Sequence, residues 1–275
     1  MKGRWLEFRP KEEMLGGKMT HLAIAAHMDD IEIMAVDGIL KAQANPELRF
    51  AGVVVTDSRG APRKGEFANV TDEEMAEIRI GEQARAAEIG NYAACVLMGY
   101  PSAAVKKPNN EELIKDLVKV IEHFEPEVVY THSLADKHPT HVAVCLRVIE
   151  ALRRIQDKKV KEFIGCEVWR GLDWLSDDEK VLMDVSEDPD LQKALLQAHR
   201  SQTVGGKNYL EAVMGRRAAN ATFFDPHDTD RAKGLVYGMD LMPLLDDPQL
   251  DPLEYMRTLT GRFQDEVLGM IRGLL

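Results

Sequence analysis

The chain has 275 residues, 45% hydrophobic and 29% charged, enough for one large globular domain with a substantial core. Its 46 Asp and Glu outnumber 35 Lys and Arg, and the formal net charge of -11 disfavours nucleic-acid backbones and anionic membrane surfaces as partners. Cys95, Cys145 and Cys166 are widely spaced and form no CxxC pair, which argues for reduced thiols in a cytoplasmic protein rather than a disulfide frame or a thiolate metal site.

The opening stretch MKGRWLEFRPKEEMLGGKM is broken throughout by charges and has no apolar signal core, and no later stretch approaches the roughly 20 apolar residues of a membrane span. The apolar run at 21–26 reads as a strand, followed by a helix over about 30–43. A β-branched run at 50–56 reads as a second strand and ends in the turn-rich DSRGAPRKGEFAN. Thr71 and Glu74 have the spacing of a capping box, and Gly90 stands where that helix would stop. A strand at 94–99, a helix at 111–124 and a strand at 127–132 continue the alternation, and Pro139 suits the first turn of another helix. Further strands are expected at 163–169 and 180–185, and helices over EDPDLQKALLQAHRSQ and KNYLEAVMGRRAAN. Asp251, Pro252 and Glu254 read as N-cap, first-turn proline and capping glutamate of a C-terminal amphipathic helix.

Strands alternating with helices predict an α/β fold with a Rossmann-like, doubly wound, mostly parallel sheet and helices on both faces. The expected organisation is one domain over 1–275, with a core at about 20–185 and a C-terminal extension of helices and mixed strands.

Two polar stretches carry the chemistry. AAHMDDIEIM places His27, Asp29 and Asp30 directly behind the first strand, and THSLADKHPTHVAV places Asp136, His138 and His141 behind the strand at 127–132. Each has an ordinary reading: adjacent aspartates cap helices, and two histidines three apart are common on helix surfaces. Together they follow two strands of a parallel sheet, whose carboxyl ends form the ligand-binding edge. His27, Asp30 and His141 can meet there, and two imidazoles with one carboxylate leave a position open on a tetrahedral zinc. Asp29 is placed to take the proton of a water, and His138 to stabilise an oxyanion or protonate a leaving amine. Residue types and spacing therefore reach "metal-assisted hydrolase" and stop there.

AHMDDIEI resembles the AHPDDxE signature of the PIG-L/LmbE-like de-N-acetylases, and DKHPTH resembles their DxHPDH signature. RIGEQARAAEIG at 79–90 is similar to their RxxExxxAAxxLG helix, and AHRSQ at 198–202 to a recurring late segment. The resemblance spans roughly residues 20 to 240. It implies a Rossmann-like fold and zinc-dependent removal of acetyl from an N-acetylglucosaminyl substrate. On it, His27, Asp30 and His141 match the metal ligands, Asp29 the general base, His138 the histidine that stabilises the tetrahedral intermediate, and Arg79 a substrate-contacting arginine.

The chain also departs from that family. Met28 replaces a proline, and Met34, Val36 and Asp37 stand where glycines are usual, so a reshaped or narrowed pocket is expected. Thr140 replaces an aspartate that orients the first histidine of the second motif, with Asp136 as its expected substitute, and Ser102 stands where a substrate-binding aspartate is frequent. These changes keep open a weakened relative that binds a metabolite or partner, or a hydrolase of another amide or ester. Iron, nickel or cobalt also suit the ligand set.

Outside these motifs, Arg59 and Arg63 read as a solvated loop, DPHDTD as a turn, and His123 and His132 as surface or loop residues. Trp169 and Trp174 read as packing an edge strand. The apolar stripe of Leu253, Met256, Leu259, Phe263, Val267 and Ile271 on the last helix must be buried, either on its own domain or on a neighbour, and the family resemblance implies a homo-oligomer built partly through loops beside the sheet.

Overall fold

A computed structural model describes residues 6–8 and 19–275, so most of the N-terminal stretch that was expected to lack a signal core lies outside the described residues. Among the described residues, eight strands form a single sheet in the order β1-β4-β3-β2-β5-β6-β8-β7. They are β1 (Leu6–Phe8), β2 (His21–Ala25), β3 (Phe50–Thr56), β4 (Ala94–Tyr100), β5 (Val128–His132), β6 (Glu162–Cys166), β7 (Lys180–Asp184) and β8 (Leu235–Asp240). The five central strands β4, β3, β2, β5 and β6 are parallel. β1 pairs antiparallel with β4, and β8 lies antiparallel between β6 and β7.

The parallel strands are near-continuous apolar runs because both of their faces are covered. Successive side chains alternate between two cores: Leu22, Ile24, Val53 and Val129 pack on one face, Ala23, Ala25, Val54 and Tyr130 on the other. The first face is covered by α5 (Glu111–Phe124) and α6 (Pro139–Arg154). The second is covered by α1 (Asp30–Met34), α2 (Val36–Ala44), α3 (Asp72–Ile89), α7 (Pro189–Gln197) and α9 (Tyr209–Thr222). This is the doubly wound arrangement expected from the sequence. Chain order reverses between β2 and β5, which opens a crevice at their carboxyl ends.

Several expectations are refined. The helix expected over 30–43 breaks at Ala35 (φ -116, ψ 22) into α1 and α2. The new direction of α2 lays Gly38 on the sheet, where an added Cβ would meet the Tyr130 and Phe50 rings at 2.9 and 3.0 Å. The Thr71/Glu74 capping box is present in both directions. Gly90 ends α3 without a left-handed turn (φ -77), and a Cβ there would strike the Tyr92 ring at 2.4 Å, so close approach explains this glycine. Asp251 caps α11 (Pro252–Leu274), but Glu254 pairs with Arg257 instead of completing a box. β8 was missed from the sequence, and it brings a segment of the expected extension into the interior of the sheet. α4 (Ser102–Val105), α8 (Arg200–Thr203) and α10 (Pro243–Asp246) are single turns. No helix among the described residues is long and apolar enough to cross a membrane.

Because the capping box is the main N-terminal anchor of α3, Thr71→Ala should lower unfolding free energy by about 1 kcal/mol. Urea denaturation followed by circular dichroism reads that change, and an unchanged midpoint would show the cap to be dispensable.

Candidate functional site

The first polar stretch folds back on itself immediately after β2. The His27 amide donates to Asp30 Oδ2 at 2.8 Å, closing the turn that starts α1. The Met28 amide donates to Ser58 Oγ at 3.1 Å, and the Ala26 amide donates to His132 Nε2 at 2.8 Å. These bonds tie the turn to the segments following β3 and β2's neighbour β5. Asp29 is the N-cap of α1 but makes no capping hydrogen bond, and its φ of 111° is a sparsely populated, strained conformation for a non-glycine residue. Its carboxylate is thereby turned away from the helix and toward Arg79 of α3, 3.1 Å from Nη2. The contact lies off the hydrogen-bonding angle, and Arg79 Nη2 and Nε, both buried, have no hydrogen-bond partner.

The second stretch begins α6. His138 is the N-cap, Pro139 occupies the first turn, and the Thr140 amide donates to His138 Nδ1 at 3.3 Å. The acceptor role of Nδ1 puts the proton of the neutral ring on Nε2. The His138 and His141 rings stack with centroids 4.6 Å apart, as residues three apart on a helix can. Asp136 Oδ1 accepts the His138 amide at 2.8 Å and lies 3.5 Å from His141 Nδ1, while Oδ2 accepts the Trp169 amide at 3.0 Å. The expectation that Asp136 orients the His138 ring is therefore corrected: that ring leans on the Thr140 amide, and the Asp136 carboxylate faces the His141 ring.

The two stretches converge. His27 Nδ1 is 3.2 Å from Asp30 Oδ2 and 3.1 Å from His141 Nε2, and His141 Nε2 is 3.2 Å from Asp30 Oδ2. A tetrahedral zinc with bonds of about 2.0–2.1 Å has ligand atoms about 3.3–3.4 Å apart, so this nearly equilateral triangle has the size one face of such a site requires. Wider sets of potential ligands also exist, His27/His138/His141 and Asp30/His132/His141. His132 is excluded as a ligand through Nε2 because that atom already accepts the Ala26 amide. His132 is also no surface residue, contrary to expectation: it ends β5 fully buried and stacks on His141 at 3.8 Å.

Charges follow this packing. Burial pushes the Asp30 carboxyl up, but the facing His141 and His132 outweigh it and hold Asp30 well below the usual range. Burial works to lower His141, yet Asp30 and Asp136 on either side raise it to about 9. Burial, and then the neighbouring His141 and His27, push His138 down to about 4, which leaves a neutral ring. Burial raises Asp29 against the opposing pull of Arg79, which makes it the more basic of the adjacent aspartates.

These groups form the floor of a cavity of about 590 Å³. Its walls come from Ser58, Gly60, Ala61 and Pro62, from Ser102 and Lys106 beyond β4, and from Val168, Trp169, Gln202, Lys207, Tyr209 and Arg216. His27, Asp29, Asp30, Arg79, His138 and Thr140 all line it, while His141 and Asp136 lie behind. Met34, Val36 and Asp37 do not narrow it: all three are buried in the layer under α1 and α2, where Asp37 accepts from Tyr130 Oη at 2.7 Å and pairs with Lys41. Trp169 lines the cavity instead of only packing an edge strand, whereas Trp174 packs edge-on to Phe263. Arg59 and Arg63 pair with Asp57, Glu73 and Asp72 on the outside of their loop. DPHDTD is an exposed turn, with Asp225 accepting the His227 amide, and His123 is exposed on α5. Lys106, Lys207, Tyr209 and Arg216 were missed, because isolated residues on later elements carry no motif.

AHRSQ serves the same site from behind. His199 Nε2 is 2.9 Å from Glu32 Oε2, Ser201 donates through its amide and hydroxyl to Glu82, and Gln202 reaches the cavity.

Comparison with known proteins finds similar chains and folds. A probable N-acetyl-alpha-D-glucosaminyl L-malate deacetylase 2 of Bacillus subtilis is 23% identical over 209 residues, 74% of this chain and 93% of that one. The N,N'-diacetylchitobiose deacetylase of Pyrococcus horikoshii superposes with a TM-score of 0.59 at 17% identity, covering 82% of this chain and 86% of its own. GalB, the 4-carboxy-2-hydroxymuconate hydratase of Pseudomonas putida, superposes with a TM-score of 0.57 at 18% identity, covering 81% and 96%. At such identities the structural likenesses establish the fold, which hosts more than one reaction. The family model described as PIG-L, GlcNAc-PI de-N-acetylase, matches residues 22–152 of this chain, the span that carries both polar motifs.

Proposed function

We propose that this chain is a divalent-metal-dependent hydrolase that removes an acetyl group from an N-acetylated amino sugar or a related small amide. The observation that carries the reading is the triangle of His27 Nδ1, Asp30 Oδ2 and His141 Nε2 on a cavity floor, beside Asp29, an aspartate that is not part of it. The PIG-L match and the printed activities of the Bacillus and Pyrococcus deacetylases support the substrate class. We read residues 1–275 as one catalytic domain, since β8 joins the same sheet, and place it in the cytoplasm on its three free, buried cysteines.

His27, Asp30 and His141 would hold the ion, zinc by donor type, although the set also suits iron, nickel or cobalt. When bound, the ion supplies Lewis acidity toward the amide carbonyl and acidifies water. Asp136 backs His141 through Nδ1 and fixes the ring so that Nε2 faces the triangle. Asp29 accepts the proton of the attacking water at a carboxylate oxygen and delivers it to the amine nitrogen as the C–N bond breaks. His138 donates from Nε2 to the carbonyl oxygen as negative charge develops there. Arg79 holds Asp29 in place and offers its unsatisfied N–H groups to the substrate. Water adds to the acyl carbon and the products are acetate and a free amine.

The purified protein should carry or take up close to one divalent ion per chain. His141→Ala should abolish that uptake, and Asp136→Asn should weaken metal affinity about 10–100-fold, the usual scale for a partner behind a liganding histidine. Elemental analysis and competition with a chelator measure both, and a wild type that takes up no ion removes the central claim.

Roles separate by mutation. Asp29→Asn should keep the ion while acetate release falls about 10²–10⁴-fold, as for loss of a general base. Asp30→Ala should lose the ion itself. His138→Ala should retain the ion and slow turnover by about 10²-fold or more, the effect of removing one oxyanion donor. If Asp29→Asn loses metal and Asp30→Ala keeps it, the two roles are reversed.

We also propose that the protein assembles with copies of itself through α11. Leu259 is its buried residue, while Phe263, Val267, Leu268, Met270, Ile271 and Leu274 remain exposed. Residues 251–275 carry Arg257, Arg262 and Arg272 against Asp251, Glu254, Asp265 and Glu266, so this segment escapes the strong negative charge of the whole and two copies can approach. Light scattering at micromolar concentration should give a multiple of 30.9 kDa. Val267→Glu should return the monomer, and a wild type that is already monomeric would refute the assembly.

A further inference from the structure

We propose that the site also takes N-acyl groups longer than acetyl, with the apolar acyl chain lying along a wall formed by Ile33, Val168, Trp169, Tyr209, Ala212 and Val213. The inference names the acyl specificity of the proposed hydrolase and rests on that reading for the orientation of the amide.

The two halves of the cavity differ in chemistry. Ser58 follows β3, Ser102 and Lys106 follow β4, and Arg79 stands on α3, which joins those strands. This half supplies hydroxyls and cations that suit the hydroxyl groups of a sugar. The other half is built behind β5 and β6 and on α9, which packs against β8. α9 turns Tyr209, Ala212, Val213 and Arg216 to the cavity, positions that share one face of a helix, so its contribution is a continuous stripe. Arg216 donates to the Val168 carbonyl oxygen, and Asp136 accepts the Trp169 amide, so the segment after β6 is pinned at two consecutive residues. Ile33, Val168 and Val213 belong to one apolar cluster, and each is buried yet lines the cavity. The second core of the protein therefore reaches the surface of the site.

The catalytic roles set the direction of the ligand. Asp29, which serves the amine nitrogen, lies against Arg79 on the polar half. His138, which receives the carbonyl oxygen, begins α6 behind β5. An amide held this way sends the sugar on its nitrogen toward β3 and β4, and its acyl substituent toward β6 and α9. Ile33 stands three residues beyond Asp30 on α1, so the apolar surface begins one helical turn from the triangle. A volume of about 590 Å³ falls among cavities that enclose drug-sized ligands, and an acetyl methyl would leave most of the apolar wall against water. Covering that wall with hydrocarbon is favourable because apolar surface leaves water. The bonds exchanged are those of deacetylation: water adds to the acyl carbon, the C–N bond breaks as nitrogen takes the proton, and the products are the longer carboxylate and the amine.

The test measures amine release by metal-loaded wild type, Ala212→Leu and Ala212→Phe. The compounds are N-acetyl-, N-butanoyl- and N-hexanoylglucosamine, with methyl and hexyl N-acetylglucosaminide as controls for the other end of the sugar. Wild-type kcat/KM should rise from acetyl to butanoyl by about 4-fold per methylene, the worth of one buried CH₂ group. Ala212→Phe should cut the hexanoyl-to-acetyl ratio by about 10-fold or more, and Ala212→Leu by less, because the larger side chains occupy the path of the chain. Thermal melting shows whether both variants fold. A gain from the hexyl aglycone over the methyl one, with none from longer acyl chains, overturns the placement.

Calorimetry of the purified protein with N-methanesulfonyl- and N-hexanesulfonylglucosamine, which have no carbonyl carbon to attack, separates this proposal from the hydrolase reading. Tighter binding of the hexyl compound that is lost in Ala212→Phe supports the apolar wall even if no amide is turned over. Turnover of N-acetylglucosamine with no gain for longer chains, and an unchanged ratio in Ala212→Phe, overturns the acyl wall and leaves the deacetylase reading standing.

Discussion

The Asp30 carboxylate is 3% exposed, and one of its oxygens faces the His27 amide, His27 Nδ1, His141 Nε2 and His132 Nε2 at 2.8 to 3.5 Å. Burying an ion costs several kcal/mol unless geometry and hydrogen bonds offset it, and removing its partners leaves an uncompensated charge. Here the partners come from the segments at and after two parallel strands, β2 and β5, that lie side by side because the strand order reverses between them. The parallel pairing of His21 with Val128 and Ala23 with Tyr130 fixes the register in which His27 and His141 meet. A slip of one residue would turn every side chain of β2 to the other face and dissolve the triangle.

A helix of five residues such as α1 has no stability of its own, so its position is imposed from outside. Glu32, fully buried on α1, supplies that restraint: Oε1 accepts Gln83 Nε2 at 2.8 Å and Tyr92 Oη at 2.6 Å, and Oε2 faces His199. Arg217 donates to the Glu32 and Ile33 carbonyl oxygens, which satisfies the free end of the helix. Three segments singled out in the sequence, around Asp30, Gln83 and His199, therefore meet at one carboxylate beneath the site. The strained backbone of Asp29 is held in place by this framework, and the strain turns its side chain away from the cap position and toward Arg79.

The departures from the family pattern divide along the same boundary. Met34, Val36 and Asp37 replace glycines without entering the cavity, because the break at Ala35 turns α2 onto Phe50 and Tyr130. Ser102 and Thr140 do line the cavity, so variation there changes what a ligand meets. The outer wall of Trp169, Lys207, Tyr209 and Arg216 is built on the carboxyl side of β6 and on α9, away from both metal-type motifs.

Local chemistry made much of this protein legible in its sequence. Continuous apolar runs marked the parallel strands, Thr71 and Pro139 begin helices as their capping and first-turn preferences dictate, and paired histidine and aspartate motifs behind two strands announced the floor of the site. What the sequence could not determine depended on partners distant in the chain. β8 is a six-residue strand whose neighbours are β6 and β7, so its place follows from sheet assembly and not from its own pattern. His132 reads as a surface or loop residue until the Ala26 amide, 106 residues earlier, is brought onto its ring. Asp136 sits two residues from His138, yet helix geometry presents its carboxylate to the ring of His141. The apolar wall has no motif because Ile33, Val168 and Val213 come to line one cavity only through tertiary packing, and a shared lining is a property of that packing rather than of any local stretch.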